Sequence, residues 1–420
     1  MISKFYKITS LPSGMKVISE TIPHVRSVAL GFWVRVGSRD EMEADNGMSH
    51  FIEHLLFKGT ETRSAREISE IFDALGGELN AFTTKEYTCF FTRLLDEHVP
   101  VGIEVLSDMI QHPRFDERDV ESERNVVLEE INLHEDSPDE RIHDVFASAL
   151  FEGHPLGKAI LGTEQTVSGF SPDDVRRFFS EQYRPENIAV VAAGNISHRD
   201  LVGLVEKFAE PGEKGRPIRK EFHPHVEKKV DVYTKSTEQA HIVFGAEAYS
   251  AADERRFALN VLDTILGGGM SSRLFQEIRE KRGLVYSVYS YHSSYAETGF
   301  LAVYAGTAPS NAEKVIGLIQ GEIENIVKDG VTKGELERAK EHIKGQLVLG
   351  LESTSRRMTR LGRIEMTHGE YLSIDEVISR IDAVTLEAVS EVARDIFKPE
   401  KIVLTAIGPF ELGALAHLVA

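Results

Sequence analysis

Apolar residues recur along this chain at two periods, and each period predicts its own kind of element. Ser27-Val28-Ala29-Leu30-Gly31-Phe32-Trp33-Val34 is a nearly unbroken apolar run and reads as a buried strand. Tyr87-Thr88-Cys89-Phe90-Phe91 reads as another, as does Glu78-Leu79-Asn80-Ala81-Phe82-Thr83 behind the turn signal Gly76-Gly77. Elsewhere the spacing changes. Met48, Phe51, Ile52, Leu55 and Leu56 fall three and four apart, which gathers them on the buried face of a helix. The stretch from Val120 to Ile131 keeps the helical period as well.

A much longer period lies over these. From Ser171 through Tyr183-Arg184-Pro185-Glu186-Asn187 to Gly194 the chain reads as a capped helix, a Pro turn and an apolar strand ending in Gly. The same features return without gaps 214 residues later, from Thr385 through Phe397-Lys398-Pro399-Glu400-Lys401 to Gly408. Two halves of similar fold follow. The polar stretch from Pro211 to His225, with its Pro and Gly residues, is the natural connection. The predicted organisation is one domain over 1–210, a linker over 211–228 and a second domain over 229–420. Strands mixed with long helices predict an α+β fold, two homologous α/β sandwiches of mostly antiparallel sheet packed with helices.

Composition narrows the classes. A chain of 420 residues, 41% of them hydrophobic, can bury a large core in two to three domains. No apolar run is long enough to span a membrane, and the residues after Met1 lack the apolar core of a signal peptide. The single cysteine, Cys89, excludes an internal disulfide framework and, inside a strand, reads as a small core residue. These features place the protein in the cytoplasm. The net charge of −19 argues against nucleic acid and anionic membranes as partners, and suits cationic substrates such as basic peptides.

Candidate chemistry sits on the first predicted helix. His50 and His54 are four residues apart, so both imidazoles can reach one metal ion from one helix face. Glu53 projects beside them, placed to take a proton from water at that ion. The order H-x-x-E-H is the inverse of the H-E-x-x-H of zinc peptidases. Buried on an apolar helix, these three polar side chains need partners, and a metal supplies them. Zinc at a catalytic site wants a third protein ligand and an open position. A carboxylate is the expected type, and the helical stretch 120–131 offers Glu123 and Glu130 seven apart on one face. Glu121 and Glu129 read as solvent-facing charges.

On these residues the chain resembles the pitrilysin (M16) family of zinc peptidases, in the short-subunit branch with the mitochondrial processing peptidases. That family combines H-x-x-E-H with a glutamate ligand about 76 residues on and a supporting glutamate seven before it, and here His54 and Glu130 are separated by 76 positions. Phe57-Lys58-Gly59-Thr60, Gly76-Gly77-Glu78-Leu79-Asn80-Ala81-Phe82-Thr83, His154-Pro155-Leu156-Gly157 and Ile160-Leu161-Gly162-Thr163 also match, and the likeness runs through essentially the whole chain. The resemblance implies that His50, His54 and Glu130 bind zinc, that Glu53 is the general base and that Glu123 supports the site. It further implies that Asn80, Ala81 and Phe82 lie on a strand that pairs with substrate. Arg279 and Tyr286 would reach the substrate from the second half.

The second half carries no such donors where the repeat can be aligned. Ala258, Val261 and Leu262 fall opposite His50, Glu53 and His54, while Ala339 and Gln346 fall opposite Glu123 and Glu130. One zinc per chain is therefore expected. Gly267-Gly268-Gly269 lacks the G-K-[ST] of a phosphate loop and reads as a flexible turn. His98, His112, His134, His143 and His241 lack metal spacing, and His223 and His225 read as incidental linker residues. The expected function is a zinc endopeptidase acting on short or unfolded peptides inside a clamshell chamber. The chamber is completed by a homodimer or by a related subunit. The alternative is a non-catalytic or partner-dependent subunit of such a complex.

Overall fold

The computed structural model describes residues 5–209, 215, 219, 223–411 and 414–419, and it contains two sheets. The first is built from β1 (Lys7–Ser10), β2 (Lys16–Thr21), β3 (Ser27–Val34), β4 (Glu78–Thr83), β5 (Thr88–Leu95) and β6 (Ile188–Gly194), in the order β1-β2-β6-β3-β5-β4. Only β2 and β6 run parallel; the other neighbours are antiparallel. The second is built from β7 (Lys229–Thr234), β8 (Ala240–Ala248), β9 (Val285–Ser294), β10 (Gly299–Thr307) and β11 (Val403–Gly408), in the order β7-β11-β8-β10-β9. Its one parallel pair is β7 with β11. Without β1, the two orders correspond strand for strand, so the sequence repeat is a repeat of topology.

The caps predicted for the repeat are present. Ser171 accepts a hydrogen bond from the Asp174 backbone N–H at the start of Pro172–Gln182, and Thr385 accepts one from Ala388 at the start of Leu386–Ile396. A Pro turn follows each helix, at Pro185–Asn187 and Pro399–Lys401, and feeds β6 and β11.

The first sheet is apolar on both faces, as the unbroken run in β3 foretold. One face, with Phe32 and Phe90, packs on Phe51, Ile52 and Met48 of the helix Met48–Leu56. The other face carries Trp33, Cys89 and Val191, and is covered by Met358 and Leu361. Cys89 is fully buried there, as expected of a small core residue.

That cover comes from distant sequence, and it modifies the expected domain limits. One compact unit holds residues 1–132, 158–220 and 350–373; the other holds 133–157, 221–349 and 374–420. A division at 211–228 separates the two sheets but not the two bodies. Each sheet has a second apolar face to hide. The helix Thr354–Thr367 hides that of the first sheet, with the Trp33 indole donating to Met358 Sδ at 3.3 Å. The helix Pro138–Leu150 serves the second sheet, where Phe146 and Leu150 join Val243, Ala302 and Val403. Most of the expected linker 211–228 lies outside the described residues.

Gly267 is not the flexible turn its sequence predicts. A Cβ there would lie 2.1 Å from the Ser290 backbone nitrogen, so the close approach of helix end to β9 demands glycine. No described helix is long and apolar enough to cross a membrane.

Candidate metal centre

The helix Met48–Leu56 is short, and its start is held by groups outside it. Glu41 supplies the cap that Gly47 lacks. Its carboxylate accepts the backbone N–H groups of Gly47 and Ser49, both at 2.8 Å, and burial pushes its pKa up to about 7 despite those bonds. Gly47 has a φ of 97° and would, with a Cβ, meet Leu161 O at 2.7 Å. The run Ile160–Thr163 thus packs directly on the helix start, and only glycine admits it.

Four residues of helix bring His50 and His54 together, with ring centroids 4.7 Å apart. The helix Glu117–Asp136 brings the carboxylates. Glu130 Oε2 lies 3.7 Å from His50 Nε2 and 3.5 Å from His54 Nε2. Among the described residues, these three side chains are the one group of His, Cys, Asp or Glu whose ligand atoms, all within 4.8 Å of one another, could hold a metal ion. Two imidazole nitrogens and one carboxylate oxygen are a donor set that fits zinc, with a coordination position to spare.

Glu123 sits about two turns before Glu130 on the same helix. His54 Nδ1 faces its Oε2 at 3.2 Å, so the ring's other nitrogen is left for a metal. Lys58 Nζ lies 2.5 Å from the other oxygen. Burial pushes Glu123 upward, but the bonds from His54 and Lys58 outweigh it and hold the carboxyl below the ordinary range. Glu121, with a side chain 63% exposed, is the solvent-facing charge expected of it.

Glu53 points elsewhere. Thr83 Oγ1, the last residue of β4, donates to Glu53 Oε2 at 2.5 Å. Burial raises the Glu53 pKa against that bond. The base candidate is thereby tied to β4, and among the described residues β4 is the terminal strand of its sheet, with one edge unpaired. On that strand the Asn80 side chain accepts the Ala81 N–H at 2.8 Å. Phe82 turns to the opposite face and packs on Trp33.

The proton on this cluster has a definite place. Burial and the neighbouring His54 push His50 below the usual histidine range, while hydrogen bonds to Glu123 and Glu130 push His54 up to about 9. These shifts favour the proton on His54 at neutral pH, and a zinc ion held there would displace it. Zinc binding near pH 7.5 is expected to release about one proton, and apparent affinity to rise about tenfold per pH unit from ~6.5 to ~8.5. Calorimetry in two buffers of different ionisation enthalpy measures the release, and a pH-independent affinity would contradict this assignment.

Arg279 and Tyr286 lie in the other unit, where the structure brings them together. The guanidinium stands 5.6 Å from the Tyr286 ring and 4.8 Å from Phe275, and Tyr286 is 80% exposed. Three of the other histidines are engaged away from this cluster: His134 pairs with Asp144, His143 lies between Tyr289 and Tyr291, and His241 bonds Tyr304. Sequence reasoning missed Glu41, Lys58 and Thr83. Lys58 follows the motif by one helical turn and could have been found from that spacing. Glu41 and Thr83 had no local signal.

Residues 16–164 match the family model for insulinase (peptidase family M16), and residues 169–343 match the model for the M16 inactive domain. Two curated relatives, an uncharacterised zinc protease of Streptomyces coelicolor and another of Bacillus subtilis, are each 44% identical. They cover 96% and 94% of this chain, and 89% and 97% of their own lengths are matched. An uncharacterised zinc protease of Rickettsia bellii is 34% identical over 97% of this chain and 98% of its own. A crystal structure of a protease from Helicobacter pylori shares the fold with a TM-score of 0.92 at 22% identity, covering 96% of this chain and 99% of that one.

Proposed function

This chain belongs to the M16 family of zinc peptidases, in its short form, and from that premise we propose that it is an endopeptidase that cuts short or unfolded polypeptides at the His50–His54–Glu130 centre. One observation carries the reading: three ligand atoms already converge within 4.8 Å, beside a glutamate tethered to the free-edge strand of the sheet. His50, His54 and Glu130 would hold one zinc ion per chain. When bound, that ion would polarise the scissile carbonyl and make water acidic near neutral pH. Glu53 would accept the water proton and pass it to the departing amine. Its buried carboxyl, raised above the ordinary range, suits that exchange, and Thr83 fixes its rotamer. Glu123 would orient His54 through Nδ1.

The substrate would lie along β4 as an added strand. Its carbonyl would take the Ala81 N–H that Asn80 now occupies, and the backbone of Asn80 to Phe82 would supply the register. Extended pairing of this kind requires an unfolded segment. Arg279 and Tyr286 would contact the substrate from the second half, and a second subunit, identical or related, would complete the chamber. The test is digestion by zinc-loaded protein of an unstructured peptide and of a stably folded protein, with products read by mass spectrometry. Internal cleavage of the peptide alone is expected. Intact peptide after prolonged incubation would overturn the reading in favour of a non-catalytic subunit.

A further inference from the structure

The segment joining the two halves of the sequence carries one side chain with an unusual set of partners. Arg219 makes a bidentate pair with Asp40, Nε to Oδ1 at 2.7 Å and Nη2 to Oδ2 at 2.6 Å, and Nη2 also donates to the Glu86 backbone carbonyl at 2.6 Å. Its Nη1 stands 3.5 Å from Glu86 Oε1. Glu86 is also bonded by Arg39, and the side chains of Arg39 and Glu86 are only 1% and 3% exposed. Two arginines and two carboxylates thus form a largely buried ionic cluster. A planar guanidinium can make two parallel bonds to the Asp40 carboxylate while also reaching the carbonyl, and an ammonium cannot form that bidentate pair.

What this cluster grips is the turn at the end of β4. Glu86 lies in the turn 84–87 that joins β4 to β5, closed by Thr84 N–H to Tyr87 O at 2.9 Å. Arg39 N–H donates to Lys85 O at 2.9 Å, so the 37–41 loop and the turn are laced together. Thr83, which holds Glu53, immediately precedes this turn. Glu41, which caps the helix of His50 and His54, immediately follows Asp40. Arg219 therefore braces the turn that leads to Glu53, while Glu41 caps the helix start through bonds of its own that do not involve Arg219.

We infer that Arg219 is a positioning residue: by clamping Asp40 to the 84–87 turn, its side chain sets the place of Thr83, and through it of Glu53 and the edge strand. The inference rests on the reading of Glu53 as the base. It does not require Arg219 to touch zinc or substrate. Removing the clamp should free the turn, misplace Glu53 and leave the three donor atoms alone.

The experiment compares Arg219→Ala and Arg219→Lys with the unaltered protein by hydrogen exchange, zinc affinity and peptide cleavage. Both variants are expected to exchange the Arg39 and Thr84 amides at least ~10-fold faster, with exchange elsewhere in the sheet unchanged. Zinc affinity should stay within about twofold, and kcat should fall by ~10–100-fold. Lysine should fail to restore it, because the charge remains while the bidentate pair is lost. Unchanged exchange at those amides overturns the clamp. Faster exchange with unchanged kcat, or full rescue by lysine, overturns the positioning role. Unfolding of both variants, seen by circular dichroism, would make Arg219 a folding residue and also overturns it. If the unaltered protein cuts nothing, the endopeptidase reading fails, and with it the link to Glu53, while the exchange data still decide whether the clamp exists.

Discussion

Glu53→Gln is expected to lower kcat by about 10²–10⁴-fold while zinc stays bound with nearly unchanged affinity. The substitution keeps the shape of the side chain and the hydrogen bond from Thr83 Oγ1, which now reaches Glu53 Oε2 at 2.5 Å. It removes only the ability to hold a proton. Glu53 is turned to β4 and is absent from the group of converging ligand atoms, His50, His54 and Glu130, so the metal set is left whole. The loss should therefore appear in kcat, with little change in KM, because a neutral amide still allows an extended peptide to pair with β4. Zinc content by elemental analysis, measured beside steady-state cleavage, checks both halves of this expectation. Equal turnover by both proteins would remove Glu53 from the chemistry.

His54→Ala is expected to weaken zinc binding by at least ~10³-fold and to abolish cleavage at micromolar zinc. Outer-sphere partners of a metal ligand already contribute about 10–100-fold in affinity. This substitution would remove a proposed direct ligand and, with it, the Nδ1–H that the Glu123 carboxylate accepts. Glu123 meets the His54 ring directly, its Oε2 3.2 Å from His54 Nδ1. Glu123 should remain ionised after the change, because Lys58 Nζ stays at 2.5 Å, and the fold should survive. Equilibrium dialysis against zinc, with the melting temperature of the metal-free protein as control, measures the effect. Retention of tight zinc binding would place the ion elsewhere.

Much of this centre was legible because helical spacing is a rigid ruler. Two histidines at i and i+4 must share a face, and two glutamates seven apart must share another, whatever the rest of the chain does. The repeat was legible for a similar reason: a cap, a Pro turn and a Gly-ended strand are local signals, and they recur at Ser171–Gly194 and Thr385–Gly408. The failures are those of long-range pairing. The helices Pro138–Leu150 and Thr354–Thr367 are amphipathic, and amphipathicity records that a face is buried without recording which sheet buries it. Their exchange between the two compact units could not be read from periodicity, and the sequence division at 211–228 missed it. Thr83, Glu41 and Arg219 were invisible for a related reason. A threonine ending a strand, a glutamate in a loop and an arginine in a polar connection have ordinary local explanations, and only the fold brings them to Glu53, to Gly47 and to Asp40. The triple glycine misled in the other direction: Gly267 looked like freedom and is a close contact with Ser290.

The most direct test of the account is to strip the protein of metal and return zinc in steps, following bound zinc and cleavage of an unstructured basic peptide in the same samples. The account predicts that cleavage rises in proportion to occupancy and levels off at one zinc per chain, with Glu53→Gln filling identically and staying inactive. Cleavage that persists in the stripped protein, or a fully zinc-loaded protein that leaves the peptide intact, would contradict it.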